Sequence, residues 1–300
     1  FQLSQVPNGN RKQDICFIPW YHESYPKKLR QISGYPFAVF VKGRLPDEKA
    51  GSVAIIGARN CSEYGRSMAR YFGEELARSG VQVISGMAYG VDGIGQMCAL
   101  EAGGYSCGIL GCGVDVCYPA SNQTLYARLA KQGGLLSEYC PGTPPVARQF
   151  PPRNRIISGL SDIVLVVEAR KKSGTLITVD MALEQGKEIL VVPGRVTDPL
   201  SSGCNSLLKQ GASPVTEPSD VLALLEGKYE IKVKKTKKEK IMLESNEKLV
   251  YCCCGLYAKN LEDIASEVSC SYTELLHTLV SLELKGYIRE ISKNYYVRTS

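Results

Sequence analysis

The sequence predicts an α/β protein with an open, doubly wound parallel sheet and a smaller domain behind it. From residue 53 onward, short apolar runs alternate with longer amphipathic stretches that glycine interrupts, which is typical of strand–helix–strand units. The apolar runs are rich in Val and Ile and nearly free of charge, as expected where helices cover both faces of a sheet. After a Lys-rich segment at 226–243 the pattern changes to helices and a hairpin.

Each element of the sheet domain follows from this alternation. The predicted strands are 53–56, 81–85, 106–110, 135–137, 163–167 and 188–192. The predicted helices between and after them are 63–79, 91–102, 121–132, 154–160, 174–186 and 203–210. Residues 14–50 form a lead-in segment, in which the extended run at 37–41 is expected to add an edge strand.

The chain is expected to divide into a lead-in at 1–50, a sheet domain at 51–225, a basic linker at 226–243 and a C-terminal domain at 244–300. In the last part, Asn260 is placed to cap a helix, and Ser271 with Glu274 forms a capping pair for the next one. Gly286 then ends that helix before two short strands. We therefore expect a winged-helix domain. The first residue is Phe rather than Met, so we expect the chain to be trimmed upstream.

Composition excludes several classes of protein. The chain is 44% hydrophobic and 22% charged, which excludes a disordered tail. No apolar run reaches the roughly 18 residues that cross a bilayer, and the first thirty residues lack a signal-peptide core. We therefore expect a cytoplasmic protein with no membrane partner. Twelve cysteines are scattered through apolar segments without metal-ligand spacing, which favours reduced thiols and no metal or other cofactor.

The positive charge is concentrated in the linker. Residues 226–243 hold seven Lys and three Glu, a net charge of +4 in a chain whose formal charge is +6. Such a run is either a solvated spacer between domains or a contact with nucleic acid, and both interpretations stay open.

The loops that follow the first three strands are rich in glycine. In open parallel sheets, ligands bind beyond the carboxyl ends of the strands, so these loops hold the first candidate site residues. The candidates are Gly57, Ala58 and Arg59 after the first strand, Gly86, Tyr89 and Gly90 after the second, and Gly111 and Asn122 after the third. Bare amides beside an Arg at a helix start suit a phosphate, although a tight turn with a surface Arg gives the same pattern.

Two later segments add basic and aromatic groups. The candidates in these segments are Phe150, Arg153, Asn154 and Arg155 at the start of one helix, and Ser173, Gly174 and Thr175 at the start of another. Guanidinium groups neutralise phosphates and a ring stacks on an unpaired base, so the group suits single-stranded nucleic acid. We expect Arg59, Arg153 and Arg155 to line one pocket with the glycine loops.

The motifs of common enzymes are missing. The sequence contains no phosphate-binding G-x-x-x-x-G-K-[ST] loop and no G-x-S-x-G elbow, and no His follows a predicted strand. A binding protein is therefore favoured over an enzyme. The rival hypothesis is a Rossmann-type enzyme or sensor that acts on a free nucleotide.

In order and spacing, the motifs resemble the DprA/Smf family of bacterial DNA-processing proteins. The matching stretches include IIGAR at 55–59, SGMAYGVDGIGQMCAL at 85–100, FPPRNRIISGLSD at 150–162 and GCNSLLKQGA at 203–212. The resemblance implies an extended Rossmann-like domain that binds single-stranded DNA, forms a homodimer and helps to load the RecA recombinase during natural transformation. It also implies that Gly57, Ala58 and Arg59 hold a phosphate and that Phe150 stacks on a base.

The sequence departs from the family pattern at two positions. Where the family usually has an Arg and a His, this chain has Tyr89 and Gln96. The loss of a cation predicts weaker DNA binding, whereas a Tyr ring in its place predicts added stacking. In the winged-helix domain, residues 271–285 contain two Glu and no Lys or Arg before Lys285, so we expect this domain to contact protein rather than DNA.

Overall fold

The computed structural model describes residues 15–231, 243, 245–268 and 270–299, which form two compact units. Within the described residues, the larger unit holds 15–61 and 68–231, and the smaller unit holds 62–67 and the residues from 243 onward. Most of the predicted linker at 226–243 lies outside the described residues.

Residues 15–231 contain nine strands and eight helices. The strands are β1 (Ile15–Pro19), β2 (Ala38–Gly43), β3 (Ser52–Ile56), β4 (Gln82–Ser85), β5 (Ser106–Ile109), β6 (Gly134–Ser137), β7 (Ile163–Val166), β8 (Glu188–Val191) and β9 (Ser213–Pro214). The helices are α1 (Lys27–Arg30), α2 (Glu63–Arg78), α3 (Val91–Glu101), α4 (Gln123–Gln132), α5 (Phe150–Leu160), α6 (Gly174–Glu184), α7 (Ser202–Lys209) and α8 (Pro218–Leu225).

The strands form one sheet in the order β1-β2-β6-β5-β4-β3-β7-β8-β9. The seven strands from β6 to β9 are parallel, whereas β2 pairs antiparallel with β6 and β1 antiparallel with β2. The predicted α/β class and doubly wound sheet are confirmed. The prediction that the run at 37–41 forms the edge strand is wrong, because β1 covers β2 and is itself the edge.

Helices cover both faces of the sheet, since successive strand residues belong to two different hydrophobic clusters. Ile109 and Leu136 pack in one cluster with residues of α5, α6 and α7, while their neighbours Leu110 and Leu135 pack in the other with residues of α3 and α4. This alternation is the two-residue period of a strand that is buried on both sides.

Asp162, between α5 and β7, connects three distant segments of the larger unit. Its Oδ2 accepts hydrogen bonds from Nζ of Lys28 at 2.7 Å and from the amide and hydroxyl of Ser52, both at 2.9 Å. Its Oδ1 accepts a hydrogen bond from the hydroxyl of Tyr229 at 2.9 Å. Burial alone would raise the pKa of Asp162, but the hydrogen bonds from Lys28 and Ser52 and the charge of Lys28 outweigh burial and lower it.

The smaller unit contains three helices and a three-stranded sheet in its described C-terminal part. These elements are α9 (Ser245–Cys253), β10 (Lys259–Asn260), α10 (Leu261–Glu267), α11 (Tyr272–Leu284), β11 (Ile288–Ser292) and β12 (Tyr295–Arg298), with the strand order β10-β12-β11. The predicted caps are confirmed, because Asn260 accepts from the Glu262 amide at 2.9 Å and Ser271 accepts from the Glu274 amide at 3.3 Å. Across the described ranges, no helix is both long enough and apolar enough to span a membrane.

Candidate functional site

A pocket opens at the carboxyl edge of the sheet, between the loops after β3, β4 and β5 and the start of α5. It encloses about 420 Å³, including the solvent at its mouth. Its lining combines cations, bare backbone and rings: Arg59, Gly86, Ala88, Tyr89, Leu110, Gly111, Cys112, Tyr118, Pro119, Phe150 and Arg153. The strand-end loops therefore converge, as expected for a parallel sheet.

Arg153 is the buried cation of the pocket, with a side chain on the first turn of α5 and only 5% of the residue exposed. Its Nη1 donates to the carbonyl of Gly86 at 3.0 Å and also to the carbonyl of Ile109, so one guanidinium joins the ends of β4 and β5. Burial lowers the pKa of Arg153 to about 10, while the Asp92 carboxylate opposes this shift. Arg153 is therefore still positively charged at neutral pH.

Gly86 separates Arg153 from the buried carboxyl of Asp92. The Gly86 amide donates to Oδ2 of Asp92 at 3.1 Å. A Cβ at Gly86 would lie 2.9 Å from Oδ2 of Asp92 and 2.9 Å from Nη2 of Arg153, so a side chain there would displace one of the two charged groups. Burial raises the pKa of Asp92, and Arg153 acts against it. The bond from the Gly86 amide shows that Asp92 orients the loop after β4.

Arg59 is the exposed cation of the pocket, on the loop after β3. Among the residues that the structure describes, its side chain has no hydrogen bond or ion pair. The loop is held by the Val91 amide, which donates to the carbonyl of Ala58 at 3.2 Å. Gly57 fits because a Cβ there would lie 2.7 Å from Cγ2 of Val91. Gly57 and Ala58 thus lie outside the pocket lining and fix the loop that carries Arg59.

Two helices begin at the pocket, and their N-terminal ends carry partial positive charge. Gly90 precedes α3 with φ +72°, and α5 begins at Phe150. In the described part of the chain, the amides of Ala88 and Tyr89, just before α3, donate to no residue. Unsatisfied amides at a helix start, next to Arg59 and Arg153, form a site for an anion such as a phosphate.

Aromatic rings line the other side of the pocket. The rings of Tyr118 and Phe150 are stacked, with centroids 5.3 Å apart and planes at 23°. Cζ of Arg153 lies 5.8 Å from the centroid of the Phe150 ring. Tyr89 is 48% exposed at the mouth. A phosphate site beside exposed and stacked rings matches the chemistry of a nucleotide, which has an anion and a flat base.

Arg155 does not reach the pocket, so the prediction that three arginines share it is wrong for this residue. Its guanidinium forms a two-pronged ion pair with Glu138, with N–O distances of 2.8 and 2.6 Å, and its Nε donates to the carbonyl of Gly34 at 2.7 Å. Residues two apart on a helix do not share a face, which is why Arg153 enters the pocket and Arg155 does not.

Several other candidates support the pocket from outside its lining. Nδ2 of the Asn122 side chain donates to the carbonyls of Met87 and Ala88 at 3.0 and 3.2 Å, and thus fixes the loop after β4. Oδ1 of Asn154 accepts from Nε of Arg153 at 3.3 Å. Gln96 is fully buried and bridges the Met87 amide to the carbonyl of Cys107, so this departure from the family pattern lies beneath the loop rather than at the pocket surface.

Ser173, Gly174 and Thr175 lie outside the pocket lining. Ser173 and Gly174 mark the start of α6, the helix that follows β7, and Thr175 is in its first turn. The structure therefore brings together Arg59, Gly86, Tyr89, Gly111, Phe150 and Arg153 from the predicted set.

Sequence reasoning missed part of the lining, above all Tyr118. Ala88, Leu110 and Cys112 lie one to three residues after the ends of β4 and β5, so their position after a strand was a usable signal. Tyr118 lies nine residues beyond β5, and only the fold shows that its ring stacks on Phe150. Burial raises the pKa of the Cys112 thiol to about 11, so it remains a poor nucleophile at neutral pH.

Comparison with known proteins gives a consistent result over the larger unit. A sequence model described as DNA recombination-mediator protein A matches residues 16–226. Protein Smf of Escherichia coli is 42% identical over 229 residues, which is 73% of this chain and 61% of that protein. The chain thus matches less than two thirds of the length of this relative.

Solved structures agree with the sequence match. The structure of DNA processing protein A from Streptococcus pneumoniae aligns with a TM-score of 0.67 at 38% identity, over 70% of this chain and 74% of that one. A second structure is that of DNA processing protein A from Helicobacter pylori, which is described by its single-stranded DNA binding mode. It aligns with a TM-score of 0.65 at 29% identity, over 72% of this chain and 98% of that one. The chain belongs to the DNA recombination-mediator protein A family.

Proposed function

We propose that this protein binds single-stranded DNA without strong sequence preference, with a backbone phosphate held between Arg59 and Arg153. The observation that carries the proposal is that these two cations share one pocket with the starts of α3 and α5 and a pair of stacked rings. Guanidinium groups and bare amides bind phosphates regardless of base, and rings stack on every base. The Helicobacter pylori relative, described by its single-stranded DNA binding, supports the same ligand.

We further propose that the protein acts by binding rather than by chemistry. The pocket lining contains no histidine, and its one thiol, Cys112, is a weak nucleophile because burial raises its pKa to about 11. The lining also contains no carboxylate, and Asp92 behind Gly86 is buried and bonded to the Gly86 amide. Incubation with nucleoside monophosphates should therefore release no free base, and its release would favour the rival nucleotide enzyme.

The wider role follows from family membership. We propose that the protein works in the cytoplasm, as a homodimer, in the recombination step of natural transformation, where it helps to load the RecA recombinase on DNA. The family description as a recombination mediator supports this role. We also propose that the smaller unit is a winged-helix domain that contacts protein. The exposed apolar side chains of Leu276, Val280 and Leu284, spaced four apart on α11, support a protein contact rather than a phosphate contact.

The Arg59→Ala variant tests the pocket. We expect its affinity for a single-stranded oligonucleotide to fall by roughly 1–3 kcal/mol, because a charge-assisted contact with phosphate is lost. The slope of log K against log[salt] should become shallower by about 0.7, the value for one phosphate contact on a single strand. Fluorescence anisotropy titrations at several salt concentrations measure both quantities.

The matched control is Arg78→Ala, which removes the same charge from the C-terminal end of α2, where Arg78 pairs with Glu74 and Glu75. It should bind as the parent does. A duplex of equal length should bind more weakly than the single strand. Equal binding of the parent and the Arg59 variant, at the same salt, would contradict the pocket assignment.

A further inference from the structure

Four aromatic side chains form a continuous row beside β1 and β2, and we call Trp20, Tyr21, Tyr35 and Phe37 the aromatic row. Ring centroids are 6.1 Å apart for Tyr21 and Trp20, 6.1 Å for Trp20 and Tyr35, and 6.2 Å for Tyr35 and Phe37. Tyr21 and Phe37, at its two ends, are 74% and 77% exposed. Trp20 is 43% exposed, whereas Tyr35 is partly buried against the core. A contiguous patch that contains three exposed rings marks a binding surface.

The backbone beneath the aromatic row is well fixed. The Trp20 amide donates to the carbonyl of Phe37 at 2.8 Å, which extends the pairing of β1 with β2 by one step. Nε of Arg30 donates to the carbonyl of Trp20 at 3.0 Å, and its Nη2 donates to the carbonyl of His22 at 2.6 Å. The backbone that carries the rings is therefore fixed before any ligand arrives, which reduces the backbone entropy lost on binding.

The sheet topology places the aromatic row on the same edge as the pocket. In the antiparallel pair, Phe40 of β2 lies opposite Ser137 of β6, so β2 begins where β6 ends, at the carboxyl edge of the parallel strands. β1 ends at that edge too, since Pro19 lies opposite Ala38. Only β6 separates β2 from β5, whose loop lines the pocket. With strands about 4.8 Å apart, the aromatic row begins roughly 10–15 Å from that loop.

Helix α5 contacts both the pocket and the segment that carries the aromatic row, and it connects them rigidly. Its residues Phe150 and Arg153 line the pocket, while Arg155 on the same helix donates to the carbonyl of Gly34, next to Tyr35. The ion pair between Arg155 and Glu138 connects α5 to the residue that directly follows β6. The pocket and the aromatic row therefore keep a constant separation.

We propose that the aromatic row stacks bases of the same DNA single strand whose phosphate lies in the pocket. This inference rests on the proposed function. Residues 15–44 carry five basic side chains and one acidic side chain, a balance that suits a polyanion. Stacking needs bases with free faces, which a duplex conceals, so the aromatic row selects single strands. Sites that combine a basic groove with rings cover about 4–16 nucleotides, enough to reach from the pocket to the aromatic row.

Trp20 is the only tryptophan in the chain, so its fluorescence reports directly on the aromatic row. The intact protein is titrated with oligothymidylates of about 4 and about 16 nucleotides, chosen from the range of such sites. We expect the longer oligonucleotide to quench Trp20. A Tyr21→Ala/Phe37→Ala variant should bind it about tenfold more weakly and bind the shorter one as the parent does.

Two controls accompany this test. Tyr21 and Phe37 are the most exposed rings of the aromatic row, so the double variant should unfold thermally as the parent does. Tyr71→Ala removes a less exposed ring, 41% accessible, from α2, near the carboxylates of Glu75 and Glu217. It should leave the binding of both oligonucleotides unchanged.

The outcomes separate this inference from the proposed function. If the double variant binds both oligonucleotides as the parent does, while Arg59→Ala weakens both, the aromatic row is not part of the DNA site and the pocket assignment stands. That result would assign the aromatic row to a protein contact or to another segment of the chain. If the intact protein binds neither oligonucleotide, the proposed function is wrong, and the aromatic row has no DNA ligand.

Discussion

Gly90 has a backbone conformation and a close environment that exclude a side chain. Its φ is +72° and its ψ −130°, a region that only glycine enters readily. A Cβ there would lie 2.3 Å from the carbonyl oxygens of both Ala58 and Arg59. The loop that carries Arg59 and the start of α3 therefore approach each other only because residue 90 is glycine.

The Gly90→Ala variant should lose about 3 kcal/mol or more of unfolding free energy and most of its affinity for single-stranded DNA, because the two loops must separate. Gly103→Ala is the matched control, since Gly103 follows the same helix, has φ +78° and has open space around its Cβ position. It should cost only about 1–2 kcal/mol, for the backbone conformation alone, and keep DNA binding. Urea denaturation and anisotropy titration measure the two effects, and equal losses in both variants would contradict the steric argument.

Arg153 and Arg155 show how far residue-scale prediction from the sequence reaches. The sequence identified both as basic residues beside the site, but it placed the helix start at 154, which left Arg153 in a loop. α5 begins at Phe150, with proline in its first turn, so both side chains are on the helix and point in different directions. The position of the helix start decides which arginine enters the pocket. That position was not evident from the amino-acid composition of the segment.

At the scale of elements, the central strands were predictable and the edge of the sheet was not. Strands β3 to β8 match the predicted runs to within one residue at each end, because buried parallel strands are nearly pure apolar segments. β1, only five residues long and partly exposed, lacks that signal. The aromatic row depends on the pairing of β1 with β2, so no reasoning from the sequence alone brought its four rings together.

Asp162 connects elements that are distant in the chain, and its removal tests their cohesion. Asp162→Ala should destabilise the larger unit by roughly 2–4 kcal/mol at neutral pH, because Lys28 loses its partly buried partner. The pKa of Asp162 is lower in the folded state, so its contribution is complete above the unfolded value of about 3.9 and is lost as pH falls through the folded value.

The stability difference between parent and Asp162→Ala should therefore shrink below about pH 4. Urea midpoints at neutral pH and at about pH 3 measure this difference. Glu188→Ala provides a comparison, since Glu188 is an exposed carboxylate at the start of β8. A difference that stays constant with pH would contradict the assigned role of the carboxylate.

At the scale of the whole molecule, the larger unit holds every residue of the pocket and of the aromatic row. A chain that ends after Ile231 should therefore keep most of its affinity for single-stranded DNA. The end point matters, because Tyr229 donates to Asp162 and an earlier end would remove that bond. Anisotropy titration of the full and shortened chains makes the comparison, and a large loss of affinity would assign DNA contacts to the linker or to the smaller unit.

The single carboxylate of Asp162 also has a consequence for protein synthesis. Its partners are Lys28, Ser52 and Tyr229, so they span almost the whole length of the larger unit. A ribosome must release Tyr229 before this carboxylate has all of its partners. The early strands of the nascent chain therefore lack these hydrogen bonds until nearly the entire unit has been synthesised. During this part of translation the incomplete unit is most exposed to misfolding, so we expect chaperones to bind it then.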